Sequence, residues 1–597
     1  MYSDYPRIPF FLLEQIYKLV RKKWQNKGKH WKLSQCPKTS PKSKRHKLYQ
    51  KNIYLPTVIV VIMILNIFLN LILSAVAVNI FQPNLPILVD GKENIVTEIC
   101  VESSDTNDTL DEVVFEFQSE MNQSAFNKIE FFYSGGMSVI PSRTDSWAIN
   151  DAVNRISGSQ KIFRNPNYVK KICSGDYICG EKIIYPHFPL KKGKNYFFLS
   201  VSLKKRHIKD ISSVFSVKVN KIVVSGDSQK LTGDLTKSIK RQGNPIRQHN
   251  DNGVYAYRIP GLITTNLGTL IGIYDVRYTT SLDLQENIDI GMSRSTDGGL
   301  NWEKMKIIMD MGEWGGLPEA QNGIGDASIL VDENTGDIFV VAVWTHGLGN
   351  GRAWGRVGTG IKPEETAQIM LVSSRDDGRT WSKPVNITPM VKDPKWSFTL
   401  QGPGRGITMK NGTLVFPMQF IGPDNIPCAA IMYSTDHGNT WKHSKPARSN
   451  TTESQVVELE DGVLMLNMRD NRHTGRAVYT TDDMGRTWKK HPTSGTLIEP
   501  VCMASIIKVP ADKNVYGKDL LIFSNPADRK SRKNMTIKIS TDNGMTWKSE
   551  NSLLLDSECG WGYSCLTMID SETIGILYES STAQMLFQAV KLKDILK

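Results

Sequence analysis

The pattern of apolar and polar positions divides the chain into three parts. Residues 55–78 form a run that is almost wholly apolar apart from Asn66 and Asn70, and its length suffices to cross the hydrocarbon core of a bilayer. We therefore predict one transmembrane helix there. After residue 86 the apolar runs are short, alternate with polar positions and are separated by turn residues, which indicates β-strands.

Charge sets the predicted orientation of this helix. The chain has 597 residues and a net charge of +13, and residues 1–54 hold 14 Lys and Arg against Asp4 and Glu14. Because a basic flank stays on the cytoplasmic side, we expect a basic cytoplasmic tail, a signal anchor and an extracytoplasmic remainder. That remainder is close to neutral, so we expect membrane attachment through the helix and no nucleic-acid partner.

The end of the apolar run leaves an alternative open. Ser74, Ala75 and Ala77 are small residues of the kind found at signal-peptide cleavage sites, and cleavage would release a secreted protein. The run is longer than the apolar core of an ordinary signal peptide, which favours the uncleaved anchor.

Residues 86–230 carry alternating runs and no cluster of acid, base or nucleophile. The clearest runs span residues 113–117, 129–133, 196–203 and 215–224. This pattern predicts an antiparallel β-sandwich with a role in packing or glycan contact. Residues 231–252 are largely polar and predict a linker.

The rest of the chain contains a repeat, which we call the Asp box. Five copies match Ser/Thr-x-Asp-x-Gly-x-x-Trp, and they are box 1 (residues 295–302), box 2 (374–381), box 3 (434–441), box 4 (481–488) and box 5 (540–547). Each predicts a turn between two strands, with Gly at the corner and Trp packed beneath it. A spacing of roughly 50 to 80 residues suits the four-stranded blades of a propeller over residues 253–597. The apolar runs 338–343, 414–420 and 520–523 are then expected as inner strands.

The eight cysteines are too few and too scattered for a disulfide scaffold, and they form no paired Cys-x-x-Cys zinc motif. Cys173 and Cys179 lie close enough in sequence to form a disulfide, as do Cys559 and Cys565. Free buried thiols are the alternative at both pairs.

The five Asp boxes, together with Tyr-Arg-Ile-Pro around Arg258, resemble the sialidase (neuraminidase) family, in particular its bacterial and trypanosomal-like exo-α-sialidases. The resemblance covers about residues 253–597. It implies an all-β fold, a six-bladed β-propeller, and a preceding sandwich similar to the accessory domain of some bacterial members. Asp boxes identify a fold and not an activity, so the chemistry depends on other residues.

The resemblance implies that three arginines bind the carboxylate of a terminal sialic acid. They map to Arg258, Arg469 and Arg532, and Glu579 maps to the glutamate that supports the first of them. A guanidinium suits this task because its paired donors match a planar carboxylate. Arg529 lies near enough to Arg532 to leave the third assignment open.

The resemblance also assigns Tyr563 as the nucleophile and Glu453 as the base that takes its proton. A tyrosine has a physical advantage over the usual carboxylate nucleophile, since the anomeric carbon of sialic acid already bears a carboxylate that would repel another anion. A neutral phenol with a pKa near 10 is a poor nucleophile, and it needs a neighbouring base.

An acid must protonate the leaving group, and Asp283 fits this role in the resemblance because it follows Arg277 by six positions. Arg277 would contact a ring hydroxyl. Asp275 and Asp289 are rivals for the acid. We favour Asp283 because Asp275 is predicted to lie on a strand, whereas Asp283 lies on a loop that can approach a ligand. A general acid at neutral pH is expected to have a raised pKa.

Two further positions carry over from the resemblance. Asp326 is similar to the aspartate that accepts a hydrogen bond from the N-acetyl nitrogen, and Trp344 is a candidate wall for the acetyl methyl group. A structural role within a blade is the alternative for both.

The apolar run predicts a membrane anchor, and the resemblance implies a retaining exo-α-sialidase. Its substrates would be sialylated glycoproteins, glycolipids or oligosaccharides, and the mechanism requires no metal or other cofactor. Two alternatives use the same arginines: a trans-sialidase that passes the sugar to an acceptor hydroxyl, and a sialic-acid-binding lectin without catalysis. The complete set of Tyr563, Glu453 and Asp283 argues against the lectin.

Overall fold

A computed structural model describes residues 76–91, 94–140, 169–284, 286–346 and 357–596, and this part of the chain is all-β, as predicted. The basic tail and most of the predicted transmembrane helix lie outside the described residues. The predicted helix extends too far at its end, because Ala77 and Val78 already belong to a strand that pairs with two others. Within the described ranges, no helix is long and apolar enough to span a membrane.

Thirteen strands precede the region of the Asp boxes. In chain order they are β1 (Ala77–Phe81), β2 (Ile87–Leu88), β3 (Asn94–Ser103), β4 (Thr109–Ser119), β5 (Phe126–Gly135), β6 (Lys170–Gly175), β7 (Gly180–Ile184), β8 (Phe188–Pro189), β9 (Gly193–Leu203), β10 (Val214–Val224), β11 (Asp227–Ser228), β12 (Leu231–Gly233) and β13 (Ser238–Arg247). They form one sheet in the order β12-β1-β3-β9-β5-β6 and a second that contains β13-β10-β4-β7. The four runs predicted as strands in this part lie within β4, β5, β9 and β10, which confirms them.

The two sheets share one hydrophobic core. Phe117 and Phe215 from the second sheet and Phe131 and Phe197 from the first are fully buried or nearly so, and all four belong to one cluster. The same cluster continues to Tyr274 in the region of the boxes. Burial of about 150–250 Å² for each large aromatic side chain makes this the main apolar contribution to the packing of the N-terminal strands.

The strands after β13 form six antiparallel units. In chain order they are β14 (Ala256–Thr264), β15 (Leu270–Arg277), β16 (Ile288–Ser295), β17 (Lys306–Met309), β18 (Asn322–Val331), β19 (Ile338–His346), β20 (Gln368–Ser374), β21 (Val385–Asn386), β22 (Thr399–Gln401), β23 (Gly404–Arg405), β24 (Ile407–Thr408), β25 (Leu414–Ile421), β26 (Pro427–Ser434), β27 (Lys442–His443), β28 (Arg448–Ser449), β29 (Thr451–Glu460), β30 (Val463–Asp470), β31 (Ala477–Thr481), β32 (Lys489–Lys490), β33 (Ser505–Val509), β34 (Leu520–Pro526), β35 (Met535–Ser540), β36 (Ser552–Asp556), β37 (Ser564–Met568), β38 (Thr573–Tyr578) and β39 (Met585–Lys591). The units are β14–β17, β18–β21, β22 with β24–β28, β29–β32, β33–β36, and β37–β39 with β13, and the short strand β23 pairs with β18.

The described residues contain little helix. The elements are α1 (Thr388–Val391) and 3-10 turns at Gln123–Ala125, Lys205–His207, Asp251–Gly253, Glu319–Gln321, Ala511–Lys513, Ser549–Asn551 and Leu592–Asp594.

Consecutive units pack through their first strands. Strand β14 contacts β18, β18 contacts the short strands β22 to β24, β29 contacts β33, β33 contacts β37, and β37 returns to β14. Strand β25 of the third unit contacts β29. The apolar runs predicted as strands lie within β19, β25 and β34, each of which pairs with a strand on both sides.

The predicted linker is wrong as a description of residues 231–252, because these residues contain β12 and β13. The first half of β13 pairs with β10 at Ser238 to Arg241, and its second half pairs with β39 at Asn244 to Arg247. One strand therefore belongs both to the N-terminal sheets and to the sixth unit. The Arg241 guanidinium also donates to the Asp594 carboxylate at 2.7 Å, which links this strand to the chain end.

The Asp boxes have the predicted turn geometry. In box 1 the Ser295 hydroxyl donates to Asp297 at 2.8 Å, the Gly299 N–H donates back to Ser295 at 2.9 Å, and the Trp302 indole donates to the Gly299 carbonyl at 3.0 Å. Boxes 2 and 3 repeat these bonds. In box 4 the Trp488 indole reaches the Lys445 carbonyl instead. Boxes 1, 2, 4 and 5 lie between the third and fourth strands of their units, and box 3 lies between β26 and β27.

The proposed disulfides do not form. Cys173, Cys179 and Cys565 carry free thiols in this structure. The alternative of a free buried thiol describes Cys565, whereas the free thiol of Cys179 is exposed and that of Cys173 is partly buried.

Asp377 in box 2 provides a test of how the units are held together. Its buried carboxylate accepts hydrogen bonds from Thr265, Thr269 and Arg294 of the first unit at 2.6–2.7 Å. Because Asn tolerates the positive φ of this residue but removes the charge, we expect Asp377→Asn to lower the free energy of unfolding by about 2 kcal/mol. Urea unfolding followed by intrinsic fluorescence measures the change.

The control is Asp482→Asn, which removes an exposed carboxylate of box 4 whose partner is the exposed Lys489. Its unfolding midpoint should match that of the parent, since surface ion pairs contribute little. Equal midpoints for both variants would show that the buried pair does not join the units.

Candidate active site

Irregular first strands bring the predicted residues together. The pairing register shifts after Arg258 in β14, between Gly325 and Ser328 in β18, and between Thr451 and Ser454 in β29. A bulge adds a residue to one strand and redirects the neighbouring side chains. These three shifts lie beside Arg258, Asp326 and Glu453. An irregularity in the strand pairing therefore orients each of these side chains.

The Glu579 carboxylate holds the first predicted arginine. Its Oε1 accepts from Arg258 Nε at 2.9 Å and from the Ile259 N–H at 3.0 Å, and its Oε2 accepts from the Tyr563 N–H at 3.0 Å. Neither the arginine nor the carboxylate is appreciably exposed. One buried carboxylate therefore fixes Arg258 and the backbone of Tyr563 at the same time, as the sequence predicted for the arginine.

The phenol of Tyr563 lies between a base and an arginine. It donates a short hydrogen bond to Glu453 Oε1, while Arg469 Nη1 donates to Glu453 Oε2 at 2.6 Å and to the phenol oxygen at 3.3 Å. Burial and the Glu453 charge raise the pKa of Tyr563 well above its usual value, although Arg469 and Arg532 oppose this shift. The phenol is neutral at neutral pH and already bonded to the group that can take its proton.

Arg532, and not Arg529, faces this phenol. The Arg532 guanidinium carbon lies 5.6 Å from the centre of the Tyr563 ring, and that of Arg258 lies 5.5 Å from it. The Arg529 side chain is exposed. The structure therefore brings Arg258, Arg469 and Arg532 to one phenol, and supports Arg532 as the third arginine.

Arg277 separates the two rival aspartates. It donates from Nη1 to Asp283 at 2.6 Å and from Nη2 to Asp275 at 2.8 Å. Asp275 is fully buried and also accepts from the Asp326 N–H at 3.0 Å, whereas the Asp283 side chain is 59% exposed. The third rival, Asp289, is buried and accepts from the Tyr278 hydroxyl at 2.7 Å. Of these three aspartates only Asp283 has a largely exposed carboxylate, which favours Asp283 as the acid.

The pKa values of Asp275 and Asp283 are shifted in opposite directions. Burial raises the pKa of Asp275 to about 6, although Arg277 opposes this. The Asp283 side chain is exposed at its surface, but the protein around it displaces part of its water, which acts to raise its pKa; the guanidinium groups of Arg277 and Arg258 outweigh this effect and lower the pKa to about 2. The raised pKa expected for the acid is therefore not present at Asp283 in the empty site.

Asp326 lies in the same cluster, and Trp344 lies on β19, the strand that pairs with the one that carries Asp326. Burial, followed by the charges of Asp275 and Asp283, raises the pKa of Asp326 well above its usual value. The Trp344 indole is completely buried, donates to the Asn322 side chain at 2.6 Å and packs edge-on to Trp314. These contacts support the structural alternative for Trp344.

Sequence reasoning missed one residue of this site, Trp561. Its ring centre lies 4.9 Å from the Arg258 guanidinium carbon, and its carbonyl accepts from Arg532 Nη1 at 3.0 Å. The signal was available in Gly-Trp-Gly-Tyr, where a large aromatic residue between glycines precedes Tyr563 by two positions.

Comparison with known proteins identifies the family. A family model described as a BNR repeat-like domain matches residues 259–579, and one described as the N-terminal domain of BNR-repeat neuraminidase matches residues 75–228. A sialidase of Bacteroides fragilis is 49% identical over 518 residues, which cover 86% of this chain and 95% of that protein. The chain belongs to the sialidase family.

Other sialidases agree with this assignment. A sialidase of Micromonospora viridifaciens is 32% identical over 353 residues, which cover 57% of this chain and 53% of that protein. The solved structure of the Hadza microbial sialidase Hz136 matches with a TM-score of 0.80 and 48% identity, over 87% of this chain and 100% of that one. This sialidase is accordingly a glycoside hydrolase of the exo-α-sialidase type.

Proposed function

We propose that this sialidase is a retaining exo-α-sialidase that forms a covalent intermediate on Tyr563. The observation that carries the proposal is the hydrogen bond from the Tyr563 phenol to Glu453, at the point where three arginines converge. A buried phenol with a bonded base is a prepared nucleophile. Three guanidinium groups beside it match an anomeric carbon that bears a carboxylate.

We also propose that the six units close into a six-bladed β-propeller. The series of contacts between first strands, from β14 through β37 and back to β14, supports this closure. The sixth unit combines β37 to β39, which follow the other five units in sequence, with β13, which precedes them. The first and the last strands of the propeller would therefore lie in one unit. The site residues come from strands and loops at one end of five units, in keeping with ligand sites at the mouths of closed β-structures.

Substrate binding would begin at the three arginines. The carboxylate of a terminal sialic acid accepts hydrogen bonds from Arg258, Arg469 and Arg532. Arg258 donates to Glu579 from Nε at 2.9 Å and from Nη2 at 3.5 Å, so its Nη1 is the nitrogen that remains for the ligand. Charge-assisted bonds of this kind are stronger than neutral ones, and they orient the anomeric carbon over Tyr563.

The first displacement forms the tyrosyl intermediate. The Tyr563 oxygen bonds to the anomeric carbon as its proton passes to Glu453. The bond from that carbon to the aglycone oxygen breaks, and Asp283 donates a proton to the departing oxygen. The neutral phenol can approach a carbon beside a carboxylate that would repel a carboxylate nucleophile.

The second displacement releases sialic acid. Asp283, now ionised, takes a proton from water as the water oxygen bonds to the anomeric carbon. The bond to Tyr563 breaks, and the phenol oxygen recovers its proton from Glu453. Two displacements at one carbon give overall retention of the α configuration.

In this proposal, Asp283 becomes protonated because substrate binding raises its pKa. Arg258 Nη1 lies 3.6 Å from the Asp283 carboxylate and, with Arg277, keeps its pKa low in the empty site. A substrate carboxylate on Arg258 offsets that positive charge and adds a negative one nearby. Both changes raise the pKa of Asp283, so that Asp283 gains its proton as the substrate binds.

The substrates we propose are terminal α-sialosides of glycoproteins, glycolipids or oligosaccharides. Attachment to a membrane through residues 55–78 stays a prediction. We propose water as the acceptor, and transfer of the sugar to an acceptor hydroxyl stays the alternative.

The configuration of the first product tests the proposed function. We expect NMR of an α-sialoside digest to show α-sialic acid first, followed by mutarotation to the β form. We expect Tyr563→Phe to bind the substrate and to hydrolyse it at least about 100-fold more slowly, because the nucleophile is lost. First-formed β-sialic acid from the parent would contradict the proposal. An inert parent that binds sialosides as well as the variant does would indicate a lectin.

Leaving-group dependence distinguishes the roles of the two aspartates. An acid matters most when the departing oxygen is basic, so Asp283→Asn should lose about 100-fold or more kcat/KM on sialyllactose and much less on an aryl sialoside. Asp275→Asn is the matched control, since it disturbs Arg277 without removing an exposed acid. We expect it to reduce kcat/KM by a similar factor on both substrates. The reverse pattern would make Asp275 the acid.

A further inference from the structure

Trp561 lies in a short segment, residues 560–563, whose backbone is held at both ends by the site. The Gly560 N–H donates to the Arg532 carbonyl at 3.1 Å, and the Tyr563 N–H donates to Glu579 at 3.0 Å. Between them, Gly562 has a φ of +87°, and a Cβ there would meet Pro526, Arg532 and Cys502 at 2.8–3.3 Å. The segment can follow this path only with glycine at 562, and the path fixes the position of Trp561.

The Trp561 residue contacts two of the three arginines through different groups. Its indole face lies over the Arg258 guanidinium, at 4.9 Å from ring centre to guanidinium carbon. Its carbonyl accepts from Arg532 Nη1 at 3.0 Å. The side chain itself is only partly buried. One residue thus orients Arg258 by its ring and Arg532 by its backbone.

The ion pairs of the three arginines explain why an uncharged residue suits position 561. Arg258 has Glu579 as a carboxylate partner and Arg469 has Glu453, but among the described residues Arg532 forms no ion pair. The Asp283 carboxylate already lies 3.6 Å from Arg258 Nη1, and a further carboxylate in place of Trp561 would compete with the carboxylate of the substrate for both arginines. An aromatic face and a carbonyl orient a guanidinium and leave its positive charge available.

We propose that Trp561 is a positioning residue, which aligns Arg258 and Arg532 for the substrate carboxylate without neutralising either. This inference rests on the proposed function, because it assumes that both arginines bind that carboxylate. It makes affinity for the carboxylate, and not affinity for the sugar in general, depend on the aromatic ring.

The test compares two inhibitors on three enzymes. The inhibitors are the 2,3-unsaturated sialic acid analogue and its methyl ester, which keeps the sugar but lacks the negative charge. We expect Trp561→Leu to weaken inhibition by the acid roughly tenfold, within the range of a partly buried cation–π contact, and to change inhibition by the ester less than about twofold. Trp561→Phe keeps an aromatic face and should retain most of the preference for the acid.

The control is Trp488→Ala, which removes a partly buried tryptophan of box 4 that bonds to Lys445 and lies in the turn between β31 and β32. It should leave the acid-to-ester ratio at the parent value even if its melting temperature falls. The inference is overturned if the ratio of the inhibition constants for acid and ester in the Leu variant equals that of the parent. It is also overturned if the Leu and Phe variants have the same ratio. If the Leu variant does not fold, Trp561→Met allows the same comparison with Phe.

These outcomes are separable from those of the proposed function. A parent enzyme that hydrolyses α-sialosides with retention, together with an unchanged ratio in the Leu variant, removes the role of Trp561 alone. A parent that does not hydrolyse sialosides removes the proposed function, whatever the inhibitors show.

Discussion

The buried carboxylate of Glu579 is the contact on which the site depends. It accepts from the Arg258 guanidinium and from the N–H groups of Ile259 and Tyr563, and so ties the first strand of the first unit to the nucleophile that precedes the first strand of the sixth. Removing one partner of a buried ion pair typically costs about 3–5 kcal/mol, because the other charge is left uncompensated. The same carboxylate therefore holds Arg258 and the backbone of Tyr563, and the fold sets the distance between them.

Charge distribution explains why this pocket uses a phenol. Around Tyr563, the three guanidinium groups of Arg258, Arg469 and Arg532 outnumber the two carboxylates bonded to them. Glu453 and Glu579 are each bonded to an arginine, while Asp283 is exposed and strongly ionised. The phenol stays neutral because burial and Glu453 raise its pKa. A bound substrate carboxylate completes the balance, and we infer that it also restores the proton of the acid.

Sequence alone predicted the parts of this molecule that depend on local pattern. The Asp boxes gave the turns because their bonds are formed within eight residues, and the strands of the N-terminal sheets followed from alternation. The role of β13 was missed, since a polar strand whose partners lie in two different sheets has no local signature. The site residues were predicted through motif resemblance, and the structure brings nearly all of them together. The buried state of Trp344 and Asp275 and the contacts of Trp561 depend on packing between units, which no short pattern encodes.

Covalent trapping tests the central claim, that Tyr563 becomes bonded to the sugar. A 2,3-difluorinated sialic acid has a good leaving group at the anomeric carbon and a neighbouring fluorine that slows breakdown of the intermediate. The account predicts that intact-mass spectrometry shows one added sugar per chain, that peptide mapping places it on Tyr563, and that the Tyr563→Phe protein is unlabelled. A label on a carboxylate such as Glu453 or Asp283, or equal labelling of the Phe variant, would contradict it.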